Sequence, residues 1–79
     1  MVWSPKARAD LRRIDRQTAM RILQAIDLYS RIGEGDVKSL QPPLTGRRLR
    51  VGDWRVIFTP VPGLEEIHID EVRHRSDAY

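Results

Sequence analysis

The stretch from Arg47 to Tyr79, RRLRVGDWRVIFTPVPGLEEIHIDEVRHRSDAY, decides the fold. Two apolar-alternating runs meet at Gly52-Asp53, and a third follows a Pro/Gly turn at residues 60–63. A two-residue connection with glycine first is the signal of a β-hairpin closed by a type II′ turn. Pairing Val51 with Trp54 sets the register. Arg50 then lies opposite Arg55, Leu49 opposite Val56 and Arg48 opposite Ile57. One face carries Leu49, Val51, Trp54, Val56 and Phe58 and is the core face. The other carries Arg48, Arg50 and Arg55.

The third run, from about Glu65 to Val72, brings Ile67 and Ile69 to the same core, because a one-residue slip would turn both outward. The expected register sets Ile69 across from Val56 and Ile67 across from Phe58. Asp70 then falls near Arg55, and His68 shares the arginine face. Glu71 and Val72 break the alternation, which predicts a bulge or the end of the ladder there. Residues 73–79 read as a polar tail that folds back over the arginine face, with Arg73, His74, Arg75 and Tyr79 supplying two guanidiniums, an imidazole and a phenol.

Like charges directly across two strands cost a few tenths to about 1 kcal/mol. Folding therefore gains nothing from Arg48, Arg50 and Arg55 on one face, whereas a polyanionic ligand gives them a purpose. The bland alternative is that acids of the third strand pair with them, or that water solvates them.

Before this stretch the chain is helical. Met1–Trp3 reads as the stub of an edge strand. Ser4-Pro5 is a helix start, with serine as N-cap and proline at the first helical position. Ala7, Leu11 and Ile14 follow at helical spacing. Asp15 caps a second helix whose stripe is Ala19, Ile22, Leu23, Ile26, Tyr29 and Ile32, closed by Gly33. Met20 and Tyr29 read as packing residues. From Glu34 to Gly46, two glycines and Pro42-Pro43 exclude a regular element, and Val37 and Leu40 pin the connection to the core.

At 79 residues the chain is one domain, residues 1–79, with no room for a second core. It has no cysteine, which excludes a disulfide framework, a zinc knuckle and a thiol nucleophile. No apolar run approaches the ~18 residues of a membrane span, and no signal-peptide core is present, so a cytoplasmic location without membrane association is expected. The net charge is +3, but four arginines and one acid fall between Arg47 and Arg55. Such a basic cluster points to RNA, DNA or an acidic protein segment.

Taken together, the motifs WSPKARADL, DVKSL, GRRLRVGDWRVIF and VRHRSDAY resemble a RelE/ParE-superfamily toxin of a type II toxin–antitoxin system, in its RelE-like branch. The resemblance covers nearly the whole chain. It implies an α+β fold in which two N-terminal helices pack on a small twisted antiparallel sheet. It also implies an mRNA endoribonuclease, acting on the ribosome and needing no metal or other cofactor. Its partners are a cognate acidic antitoxin and mRNA, and the toxin–antitoxin complex binds operator DNA through the antitoxin. The positions matching the family's catalytic residues are Arg48, Arg50, Arg55, Arg73, His74 and Tyr79, with Arg47, Arg75 and His68 as substrate-binding residues.

In that chemistry the RNA 2′-hydroxyl attacks the neighbouring phosphate, and guanidiniums stabilise the phosphorane. One departure from the family concerns the general base. Relatives carry lysine where Arg48 and Arg50 stand, and arginine gives up its proton poorly. His74, His68 or Glu71 are the substitutes. Two alternatives stay open: a ParE-like inhibitor of DNA gyrase acting by binding, and a catalytically weak relative held by its antitoxin.

Overall fold

The computed structural model describes every residue except Pro62, Leu64, Glu65, Ala78 and Tyr79. Its elements are β1 (Val2–Trp3), α1 (Pro5–Arg12), α2 (Arg16–Ile32), β2 (Asp36–Ser39), β3 (Arg47–Val51), β4 (Trp54–Val61) and β5 (Glu66–His74), followed by a 3-10 turn at Arg75–Asp77. The strands form one five-stranded sheet in the order β1-β5-β4-β3-β2. The α+β expectation holds with one correction: the sheet is mixed. β1 pairs parallel with β5, Val2 beside His68 and Trp3 beside Ile69, while the other neighbours are antiparallel. The N-terminal strand reaches β5 through the body of the fold rather than through a hairpin, so nothing forces it to run antiparallel.

Both helices lie on one face of the sheet, α1 against β5 and α2 against β3. Ser4 caps α1 by accepting from the Ala7 N–H at 3.0 Å, and its hydroxyl donates to the Asp70 carbonyl at 2.7 Å. Asp15 caps α2 through a 3.1 Å bond from the Thr18 N–H, and Gly33 closes it in a left-handed conformation. The core consists of Ala7, Ile22, Ile26, Leu49, Val56, Phe58, Ile69 and Val72. Tyr29 packs on it, its ring 5.2 Å from that of Phe58. Met20 does not, and is 48% exposed. It lies two residues from Ile22, a rotation of about 200° around the helix, so burying Ile22 turns Met20 outward. Ile32, in the last turn of α2, is likewise exposed.

The hairpin register is as the sequence predicts, from Val51 beside Trp54 to Arg48 beside Ile57. Gly52 takes φ +60, which the first position of the turn requires. Two expectations fail. The connection after α2 contains a strand, because β2 fits between Gly35 and Leu40 and pairs along β3, with Val37 packing on the core. The β5 register also differs. Ile69 lies opposite Phe58, not Val56, and Val72 takes the place opposite Val56. The ladder is interrupted at Asp70 and then continues to His74. In Ile69-Asp70-Glu71-Val72 the apolar residues are three apart, and an extra residue between them turns both to the core. The bulge is tied on both sides, by Thr59 Oγ1 donating to Asp70 Oδ2 at 2.8 Å and by the Ser4 hydroxyl.

Arg73 and His74 therefore belong to a strand rather than to a loose tail. The turn after them is fastened to the hairpin, where the Arg75 N–H donates to the Asp53 carbonyl at 2.7 Å.

Candidate functional site

The face of the sheet opposite the helices carries the arginines in a line. Asp36, Arg50, Arg55 and Arg73 are direct cross-strand neighbours on β2, β3, β4 and β5. Side chains so paired start about 5 Å apart. The next line along the same face runs Lys38, Arg48, Ile57, Glu71. The register of β5 sets this composition. With the register read from the sequence, Ile69 opposite Val56, a carboxylate, Asp70, would stand beside Arg55; the observed register puts a third guanidinium there.

Arg55 is the centre of the line. It is half-buried, and its Nη1 has no hydrogen-bond partner among the described residues although that atom is shut off from water. A buried donor without an acceptor is costly, more so when charged. Its neighbours are differently held. Arg50 Nε donates to the Gly52 carbonyl at 3.3 Å. Arg73 Nε pairs with Glu71 Oε1 at 2.8 Å, and its Nη1 donates to the Asp77 carbonyl at 3.2 Å. Glu71 also pairs with Lys6 of α1 at 3.5 Å, and Lys6 in turn pairs with Asp10. Asp10 Oδ2 accepts from the Val72 N–H at 3.0 Å, which satisfies the edge of β5 where β1 has ended. Glu71 of β5 thus holds Arg73, and no acid among the described residues pairs with Arg55.

The other expected site residues are distributed unevenly. Arg48 joins Arg50, Arg55 and Arg73 on the open face. His74 does not: it lies opposite Trp54 on the helix side, with the two rings edge-on and 5.0 Å apart. Its Nδ1 accepts from the Ser76 N–H at 3.3 Å and lies 2.9 Å from the Ser76 hydroxyl, so the neutral ring carries its proton on Nε2. In that tautomer Nε2 is a hydrogen-bond donor and has no lone pair free to take a proton. His68 is on the open face opposite Thr59, far along β5 from Arg73, with Glu66 at 4.0 Å. Arg47 lies on the helix side opposite Phe58. Arg75 is exposed and 3.8 Å from Asp53 Oδ1. Tyr79 lies outside the described residues.

Sequence reasoning missed Lys38, which shares the open face beside Arg48, and Lys6, which reaches Glu71. The alternation in Asp36-Val37-Lys38-Ser39, with Val37 inward, was the available signal for Lys38. No sequence spacing signals a contact between positions 6 and 71. Among the described residues, no cluster of His, Cys, Asp and Glu is arranged to hold a metal ion, and no helix is long and apolar enough to cross a membrane.

The fold has close relatives among solved structures. It superimposes on the RelB–RelE antitoxin–toxin complex from Methanococcus jannaschii with a TM-score of 0.79 and 18% identity, covering 100% of this chain and 99% of that one. For the toxin–antitoxin complex RelBE2 from Mycobacterium tuberculosis the TM-score is 0.80 and the identity 24%, over 92% and 93% of the two chains. For the YoeB dimer from Staphylococcus aureus they are 0.72 and 22%, over 92% of each chain. At these identities the likeness is one of fold. No curated protein matches the sequence. The family model for the ParE toxin of the type II toxin–antitoxin system parDE matches residues 1–79. The chain therefore belongs to the ParE-toxin family and is a toxin of the RelE/ParE superfamily of type II toxin–antitoxin systems.

Proposed function

We propose that this toxin is an endoribonuclease that binds the scissile phosphate of mRNA on the arginine line of its open face. One observation carries the proposal: Arg50, Arg55 and Arg73 stand side by side, and the central guanidinium has a buried N–H without an acceptor among the described residues. A phosphate oxygen supplies that acceptor and offsets the repulsion within the line. The 2′-hydroxyl attacks the adjacent phosphorus, and the bond to the 5′ oxygen breaks. The leaving 5′ oxygen takes up a proton from water, and the products are a 2′,3′-cyclic phosphate and a free 5′-hydroxyl. Guanidiniums on the non-bridging oxygens act where charge develops. Glu71 is the carboxylate on this face next to Arg73, which makes it the candidate to accept the 2′ proton, in preference to His74 on the other side of the sheet.

An acidic antitoxin is the expected partner. Structural relatives are complexes of RelE with RelB, and an acidic segment over the open face would occupy the same guanidiniums as RNA.

The test uses purified protein and an Arg55→Gln variant on end-labelled mRNA, with and without ribosomes. The wild type should release fragments ending in a 2′,3′-cyclic phosphate, and the variant should be slower by about 10²–10³-fold. A second reading, binding and inhibition of DNA gyrase, is favoured by the ParE family match and by the placement of His74 away from the arginines. Inhibition of supercoiling by both proteins, with no RNA cleavage by either, would establish that reading instead.

A further inference from the structure

Ile57 is an anomaly on the open face. No helix covers that side, yet Ile57 is only 7% exposed. It is the floor of a groove of about 390 Å³ whose walls include Lys38, Leu40, Leu44, Arg48 and Arg55. The outer wall is the connection between β2 and β3. That connection is folded back on itself, with the Leu40 N–H donating to the Gly46 carbonyl at 3.1 Å and the Leu44 N–H to the Gln41 carbonyl at 3.0 Å. It also lies close on β4, since a Cβ at Gly46 would come within 3.0 Å of the Phe58 carbonyl oxygen. Leu44 is thus held over the groove by a fixed turn while remaining 48% exposed. Leu40 and Leu44 thus line, over a buried isoleucine, an apolar surface rimmed by cations, the kind of surface that marks a ligand groove.

We infer that this groove holds an unpaired nucleobase whose own phosphate lies on Arg55. The inference rests on the reading of the arginine line as a phosphodiester site. Arg55 lines both the groove and the row, so one ligand has to present an anion to it with an apolar, flat group alongside. A nucleotide of a single strand does so, its base and phosphate joined through one sugar. The apolar floor and Leu44 take the faces of the base, and the planar Arg48 guanidinium can stack on it. Regularly spaced cations along the row suit the repeating anions of a nucleic-acid backbone better than the irregular acids of a peptide. Recognition by stacking is tolerant of base identity, and it requires the strand to be single.

The test separates the base from the phosphate. Fluorescence anisotropy would measure binding of a fully 2′-O-methylated RNA hexamer, which cannot undergo 2′-hydroxyl attack, and of the matching abasic 2′-O-methyl hexamer. Wild type, Leu44→Ser and Arg55→Gln would be compared. The wild type should prefer the base-bearing hexamer by about tenfold or more. Leu44→Ser should reduce that preference below about threefold while binding the abasic hexamer as the wild type does. The unchanged abasic affinity also reports that the variant is folded. Arg55→Gln should weaken both hexamers.

If wild type binds both hexamers equally, or if Leu44→Ser keeps the full preference, the groove is not a base site and the phosphate row stands. If wild type binds neither hexamer, the row fails and the groove with it. If Leu44→Ser leaves both hexamers unaffected but loses an acidic, leucine-bearing peptide, the groove serves a peptide and the nucleotide assignment is overturned.

Discussion

The two faces of this sheet are built from alternate residues of the same strands and have opposite characters. On the helix side Leu49, Val56, Phe58, Ile69 and Val72 are buried and mutually packed. On the open side Arg50, Arg55 and Arg73 repel one another in a line that no helix covers. On the proposed reading of the arginine face, stability and binding lie on separate sides of one ladder. A substitution on either side should therefore move one property and spare the other.

The largest break of this division comes from the core. Phe58→Ala should cost about 3–5 kcal/mol, because Phe58 is 1% exposed and the cavity left against Tyr29 cannot fully collapse. Chemical denaturation would measure it, and in so small a domain most of the stability should be gone. Arg55→Met is the opposite case. It removes a like-charge neighbour and a buried unsatisfied donor, so stability should be unchanged or rise by up to about 1 kcal/mol. Binding of the 2′-O-methyl hexamer should nevertheless weaken at least about tenfold. A variant that lost stability and binding together would show that the faces are not separable.

Salt sharpens the comparison further. Three guanidiniums neutralising phosphates of a single strand give a slope of log affinity against log salt of about −2, and Arg55→Gln should make it shallower by about 0.7. Titrating the hexamer between low and moderate salt reads this directly. Phe58→Val, insofar as it folds, should leave the slope alone.

The smallest expected effect lies off the sheet altogether. Asp15, at the start of α2, is held below its ordinary carboxylate value of 3.8, chiefly by the Thr18 side chain and then by the Thr18 backbone N–H. A lowered folded-state value stabilises above the unfolded one and loses that contribution as pH falls through the folded value. Thermal melts should therefore show wild type losing ground on Asp15→Asn only below about pH 4. A difference between the two that stayed constant down to pH 2 would contradict the cap's role.

Much of this was legible along the chain. The caps at Ser4 and Asp15, the glycine at 33 and the Gly52-Asp53 hairpin are local devices, written within four residues of where they act. The placement of Arg48, Arg50 and Arg55 on one face follows from the period of two alone. The strand at Asp36–Ser39 was hidden because prolines and glycines on both sides masked four alternating residues. The β5 register was hidden for a different reason. A bulge adds one residue at a point that pattern can bracket, between Ile69 and Val72, but alternation alone cannot say how the strand resumes.

Sequence by itself determined the α+β class, the two faces of the hairpin and the family resemblance, since each depends on local periodicity and turn chemistry. Only the tertiary structure decided what stands next to Arg55. It set Ile69 opposite Phe58 and placed a bulge at Asp70, tied down by Thr59 and by the cap of α1, so that Arg73 completes the row in place of the carboxylate that the register read from sequence would put there. It likewise sent His74 to the helix side and built the groove over Ile57 from a connection that reads as loop. These are contacts between residues distant in the chain, fixed by the need to bury Ile69 and Val72 together, and no local pattern encodes them.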